Sequence, residues 1–134
     1  MFAPVEPTWG VNHRVVAVRI PQSDAGNLRF EHRAAGADAN PYLVTAAVVA
    51  GVHYGLKNKC DPGKLVQQGD HIVPKLKIPN RWDTALDKFE RSKILPQYLG
   101  EDYCRYFAMN RREESRQFHN TVSQLDFDWY LRSV

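Results

Sequence analysis

The chain has 134 residues, 43% of them hydrophobic and 25% charged, with a formal net charge of +3. That is one modest soluble domain. The basic residues are scattered or paired with acids, so nucleic acid is not an expected partner.

In chain order, residues 1–11 hold two prolines and Trp9–Gly10 and are expected to be an irregular lead-in. They lack a basic stretch followed by an apolar one, so no signal peptide is expected and the location is read as cytoplasmic. Arg14–Ile20 (RVVAVRI) is rich in β-branched residues and predicts a strand. Pro21 ends it, and QSDAGN is turn chemistry. Leu28–Arg33 (LRFEHR) predicts a second strand, antiparallel to the first. Successive strand side chains alternate between faces. Arg29, Glu31 and Arg33 should therefore share one face, and Leu28, Phe30 and His32 the other. Arg14 and Arg19 are an odd number of residues apart, so one of them sits in the preceding loop or a bulge intervenes.

Asn40–Pro41 has the chemistry of a helix start. The helix to about Lys57 is apolar nearly all round, which predicts burial, with His53 a satisfied core histidine. Pro41–Leu56 falls short of the roughly 18–20 apolar residues that a membrane span needs, so no membrane is expected. Asn58–Asn80 reads as a long loop. Trp82, Ala85, Leu86, Phe89 and Lys93 predict an amphipathic helix to about Leu95 or Leu99. Beyond Gly100 come a charged helix over Glu101–His119 and a short last helix around Val122, Leu125 and Trp129. The run at Arg111–Arg116 is expected on a solvated or subunit-facing surface. Cys60 and Cys104 have no CxxC companion and are expected to be buried or partly buried thiols. The fold class is α+β: a short antiparallel strand pair followed by three to four helices. Two strands make a poor sheet alone, which points to a missing part.

The charged strand face admits two readings. It is either an exposed surface with charges that neutralise one another, or a polyanion site. On the second, Arg29 and Arg33 lie roughly 13 Å apart at about 3.3 Å per strand residue, and Glu31 between them could hold a divalent cation. Mg²⁺ takes one or two carboxylates together with phosphate oxygens, and arginine grips phosphate or carboxylate bidentately.

NHRVVAVRIP, NLRFEHR and AAGADANPYLVTAAVVAG together resemble the C-terminal catalytic segment of the glutamine synthetase family, most closely its γ-glutamylpolyamine synthetase branch. RREESRQF and DWYLRSV extend the likeness over nearly the whole chain. The resemblance implies that residues 1–134 form the C-terminal portion of such a catalytic domain, whose N-terminal part is absent. It implies an ATP-dependent ligase joining glutamate to ammonia or an amine (a polyamine) through a γ-glutamyl phosphate, with ATP as co-substrate and Mg²⁺ or Mn²⁺ as the metal. Arg14 would contact the transferring phosphoryl group, and Arg19 and Arg29 would bind ATP phosphates. Glu31 would be a metal ligand, and Arg33 would bind glutamate or stabilise its acyl phosphate, making Arg14 and Arg33 the catalytic pair. A homo-oligomer is expected on the same grounds.

The sequence departs from the family pattern at His13, which stands where the motif has Asn, and Asn12 is not carried over. The family's other metal ligands lie upstream of this motif, so the chain alone is expected to be inactive. The alternatives are a nucleotide- or anion-binding module without turnover, and an oligomerising interaction protein.

Overall fold

A computed structural model describes residues 4–67, 69–70 and 76–132. The chain divides into two compact units, Met1–Asn80 and Arg81–Val134.

The first unit is built on a three-stranded sheet in the order β1 (Trp9–Val11), β2 (Val18–Ile20), β3 (Glu31–His32). β1 runs parallel to β2, with Trp9 opposite Val18, and β2 runs antiparallel to β3, with Arg19 opposite Glu31. The antiparallel pair is the expected one, but each strand is shorter than its sequence suggests. Residues 12–17 form the return that carries the chain from β1 back to the start of β2, so Arg14 and Val15 lie outside the ladder. Val16, on this return, is fully buried. Before β3, a 3-10 turn at Ala25–Asn27 takes up the chain, held by Ser23 Oγ donating to the Asn27 carbonyl at 3.0 Å. The ladder extends one residue past His32, where the Arg33 N–H donates to the Ala17 carbonyl at 2.9 Å.

The lead-in is not irregular, because its tail is β1. Its order comes from residues distant in sequence. The Val66 N–H donates to the Trp9 carbonyl at 3.0 Å, Trp9 Nε1 donates to the Gly63 carbonyl at 2.9 Å, and the Ile78 N–H reaches the Val5 carbonyl at 2.9 Å. The loop after Lys57 is thus fastened to the lead-in, while its positions 68 and 71–75 lie outside the described residues.

α1 (Pro41–Lys57) starts as expected: Asn40 Oδ1 accepts from the N–H groups of Tyr42 and Leu43, and Pro41 stands in the first turn. Its expected burial is not found. Ala50 is its buried residue, whereas Val49, Val52 and Leu56 are exposed, and so is His53. Across from one side of α1 lie the apolar side chains of the sheet, leaving an open groove of about 630 Å³ lined by Val18, Phe30, His32, Val44, Val48 and Val52 among others. An all-round apolar helix needs cover on every side, and within this unit only one side meets the sheet.

In the second unit, α2 (Trp82–Glu90) and α4 (Glu101–Asn120) pack antiparallel. Trp82 meets Phe118 and Phe89 meets Phe107, with ring centroids 6.2 and 5.2 Å apart. α2 ends at Glu90, short of the expected Leu95. Ser92 Oγ accepts from the N–H groups of Ile94 and Leu95 and so opens a separate short helix, α3 (Leu95–Leu99). Gly100, at φ +86°, joins α3 to α4 in a conformation that side-chain-bearing residues rarely adopt.

The Arg111–Arg116 run is only partly a solvated face. Arg112 reaches α2, donating to Asp87 Oδ1 and Glu90 Oε2 with Asp83 nearby, and Ser115 Oγ donates to Asp83 at 2.9 Å while itself buried. These acids fall at i, i+4 and i+7 on one side of α2, so one guanidinium holds the two helices together. α5 (Gln124–Tyr130) begins with a reciprocal cap between Ser123 and Asp126. Cys104 is buried as expected, where burial pushes its thiol pKa up, but Cys60 is exposed; both are free thiols.

Two consequences can be measured. A Cβ on Gly10 would lie 2.5 Å from the Val66 carbonyl oxygen, so Gly10→Ala is expected to destabilise the first unit by about 1–3 kcal/mol, read as a lower urea midpoint. Glu113 accepts from Arg116 and Gln117, which holds its carboxyl at a pKa of about 2. Its folded pKa lies below its unfolded one, so this pairing stabilises the fold above the ordinary Glu range of about 4.3. The contribution is lost as pH falls toward the folded value. A carboxyl-detected NMR titration should place the Glu113 midpoint at about 2, and Arg116→Gln should move it up toward the ordinary range.

Candidate functional site

The antiparallel register sets Arg19 and Glu31 directly across from each other on β2 and β3. Arg19 Nη1 donates to both carboxylate oxygens of Glu31, at 3.3 and 3.1 Å. Arg33 approaches the same carboxylate, with Nη1 3.6 Å from Oε2. All three side chains are half-buried rather than fully solvated. Of the residues singled out by sequence, these three form one cluster, and the alternation that places Glu31 opposite to His32 holds. His32 and Phe30 turn to the apolar groove.

The other two arginines stand apart. Arg14 is exposed on the return between β1 and β2, which settles how two arginines five residues apart fit one short strand. Arg29 precedes β3, and its Nη1 donates to the carbonyl of Asn27 at 3.1 Å. The regular strand is too short to carry it beside Glu31, so the expected three-residue alternation is realised only for Glu31 and Arg33.

Asn12, which the family pattern does not carry over, touches the cluster. Its Oδ1 accepts from Arg19 Nη2 at 3.3 Å and from the Gln22 N–H at 3.0 Å. Asn12 has φ +51°. The available signal was an asparagine at a strand end, a residue type that tolerates left-handed backbone and bonds to nearby main chain. His13 is half-buried, with Nδ1 buried and unpartnered.

Two arginines face one glutamate here, a surplus of positive charge. The Nε atoms of Arg19 and Arg33 are buried without a hydrogen-bond partner. Unused guanidinium donors fit an anion, because each orphaned donor carries a desolvation cost that an acceptor oxygen relieves. A cation fits less completely. Glu31 offers one carboxylate, and among the described residues no group of three or more His, Cys, Asp or Glu side chains could hold a metal ion. A divalent cation here would need its remaining ligands from phosphate oxygens or from outside this cluster.

Residues 1–130 match the family model described as glutamine synthetase, catalytic domain. The chain belongs to the glutamine synthetase family. One relative is the gamma-glutamylputrescine synthetase PuuA of Escherichia coli K12, 38% identical over 134 residues, which are all of this chain and 28% of that protein. Type-1 glutamine synthetase 2 of Dictyostelium discoideum is 33% identical over 138 residues, covering 99% of this chain and 26% of that protein. Among solved structures, apo GmaS without ligand superposes with a TM-score of 0.81 at 27% identity, over 97% of this chain and 31% of that one. The chain therefore spans a little over a quarter of the length of the curated relatives it matches, and its α+β architecture is that of a fragment of a glutamine synthetase catalytic domain. Among the described residues, no helix is long and apolar enough to cross a membrane.

An anion placed on this cluster would compete with Glu31 for the same two guanidinium groups. Glu31→Gln is therefore expected to tighten metal-free binding of tripolyphosphate by about two- to fivefold, the range of a partly exposed ion pair. Calorimetric titration in the presence of a chelator checks it.

Proposed function

We propose that this chain contributes the phosphate- and glutamate-binding strands of an ATP-dependent ligase that joins the γ-carboxylate of glutamate to an amine. The observation that carries the reading is the Arg19–Glu31–Arg33 cluster, with its two unpaired Nε donors, inside a sequence of this family. In the proposed reaction a γ-carboxylate oxygen attacks the terminal phosphorus of ATP and ADP leaves. The amine nitrogen then attacks the acyl carbon, inorganic phosphate leaves, and the amine loses a proton. Negative charge moves from phosphoryl oxygens to the leaving phosphate, and fixed guanidinium groups stabilise it at each position without having to reorganise.

Arg19 and Arg29 bind ATP phosphates, Arg14 contacts the phosphoryl group in transfer, and Arg33 holds glutamate and its acyl phosphate. Glu31 supplies one carboxylate to Mg²⁺ or Mn²⁺, which when bound neutralises phosphate charge. The 38% identity to a gamma-glutamylputrescine synthetase favours an alkyl amine over ammonia. Residues 1–134 then constitute the C-terminal portion of one catalytic domain within a cytoplasmic homo-oligomer, a reading carried by the family resemblance. With one carboxylate at the cluster, the chain alone binds nucleotide and does not turn it over.

Calorimetry with MgATP tests this directly. Binding is expected for the chain as it stands, weakened about tenfold by Arg33→Ala through loss of a charge-assisted contact. No phosphate is expected to be released on adding glutamate with putrescine or ammonia. Absence of MgATP binding would overturn the site, and steady phosphate release would overturn the inactivity of the chain alone.

A further inference from the structure

We infer that Asn12 is a positioning residue for Arg19, an inference that rests on the phosphate-binding reading of that arginine. Asn12 follows β1 directly, and its backbone N–H donates to the Ile20 carbonyl at 2.9 Å, so it closes the end of the parallel β1–β2 pair. Its side-chain amide has a determined orientation. The Gln22 backbone N–H can only donate, so the atom 3.0 Å from it must be the carbonyl oxygen Oδ1, and Nδ2 then donates to Gln22 Oε1 at 3.1 Å. The oxygen fixed in this way is the one that accepts from Arg19 Nη2 at 3.3 Å.

Arg19 is thereby held at two nitrogens, Nη1 by Glu31 and Nη2 by Asn12. A guanidinium tied through one nitrogen can pivot about that contact, whereas a second tie at the other terminal nitrogen fixes its plane. Fixing the plane beforehand reduces the side-chain entropy that an anion must remove on binding. The choice of an amide matters as well. A neutral oxygen orients the arginine without cancelling its charge, whereas a second carboxylate beside Glu31 would lower the positive surplus that attracts an anion.

Asn12→Gly keeps the left-handed backbone available and removes the amide. Calorimetric titration of the chain with tripolyphosphate should show affinity weakened about three- to tenfold, the range for leaving one long side chain free. Arg19→Gln should weaken it at least as much, and Asn12→Gly should add nothing in that background. A further loss in the double variant would mark Asn12 as merely structural and overturn the inference. So would unchanged binding in Asn12→Gly while Arg19→Gln is impaired. Unchanged binding in Arg19→Gln would instead overturn the phosphate-binding role of Arg19, and this inference with it. Gln22→Ala leaves the Asn12 backbone untouched and supplies a second route should Asn12→Gly lower the melting temperature. It is expected to give a smaller loss that also vanishes in the Arg19→Gln background, and a loss that persists there overturns the inference.

Discussion

Glu31 stands opposite Arg19 because β2 and β3 pair antiparallel in one register, and the arrangement of the first unit depends on that pairing. A slip of one residue would exchange the two faces of β3, setting the Glu31 carboxylate against Val18 and the apolar side of α1. In the observed register the charged face gathers Arg19, Glu31 and Arg33, and the opposite face gives Phe30 and His32 to the groove along α1. The ion pair itself contributes little net stability, since partly exposed pairs are worth at most about 1 kcal/mol. Its importance is positional: it sets where the guanidinium groups stand.

The second unit uses charge in the opposite stoichiometry. There one guanidinium, Arg112, serves Asp87 and Glu90 with Asp83 close by, and the result is a fastening between α2 and α4. Its hydrogen bonds hold the Glu90 carboxyl below the ordinary range. In the first unit the ratio inverts, with two arginines around a single glutamate. An excess of acceptors around one donor group closes on itself, while an excess of donors around one carboxylate leaves capacity for an external anion. Two arginine-rich stretches of one short chain are distinguished by this count.

Much of the fold was legible locally. Asn40–Pro41 starts α1, the i, i+3, i+4, i+7 spacing of Trp82, Ala85, Leu86 and Phe89 marks α2, and the turn chemistry at 21–27 separates β2 from β3. The strand alternation correctly divided Glu31 from His32. What sequence could not show came from partners distant along the chain. β1 exists because β2 and Val66 bond to it, and neither bond is written in the residues Trp9–Val11 themselves. The exposure of α1 is of the same kind, because an apolar stripe announces that it wants cover and says nothing of what supplies it. Asn12 is invisible to the family pattern, which places its asparagine next to the arginine, whereas the contact made here depends on three-dimensional closure of a strand end onto Gln22.

The return at residues 12–17 is unusually short for a connection between parallel strands, which commonly takes a dozen residues or more. It suffices because β1 and β2 have only three residues each. One result is that all three strands lie within residues 9–33, so every sheet pairing joins near neighbours in the chain. Contacts of such short range cost little loop entropy and form quickly. Closing β3 onto β2, the pairing that orients Arg19 toward Glu31, therefore asks little of the chain, whereas β1 gains its remaining bonds only from Gly63 and Val66, beyond α1.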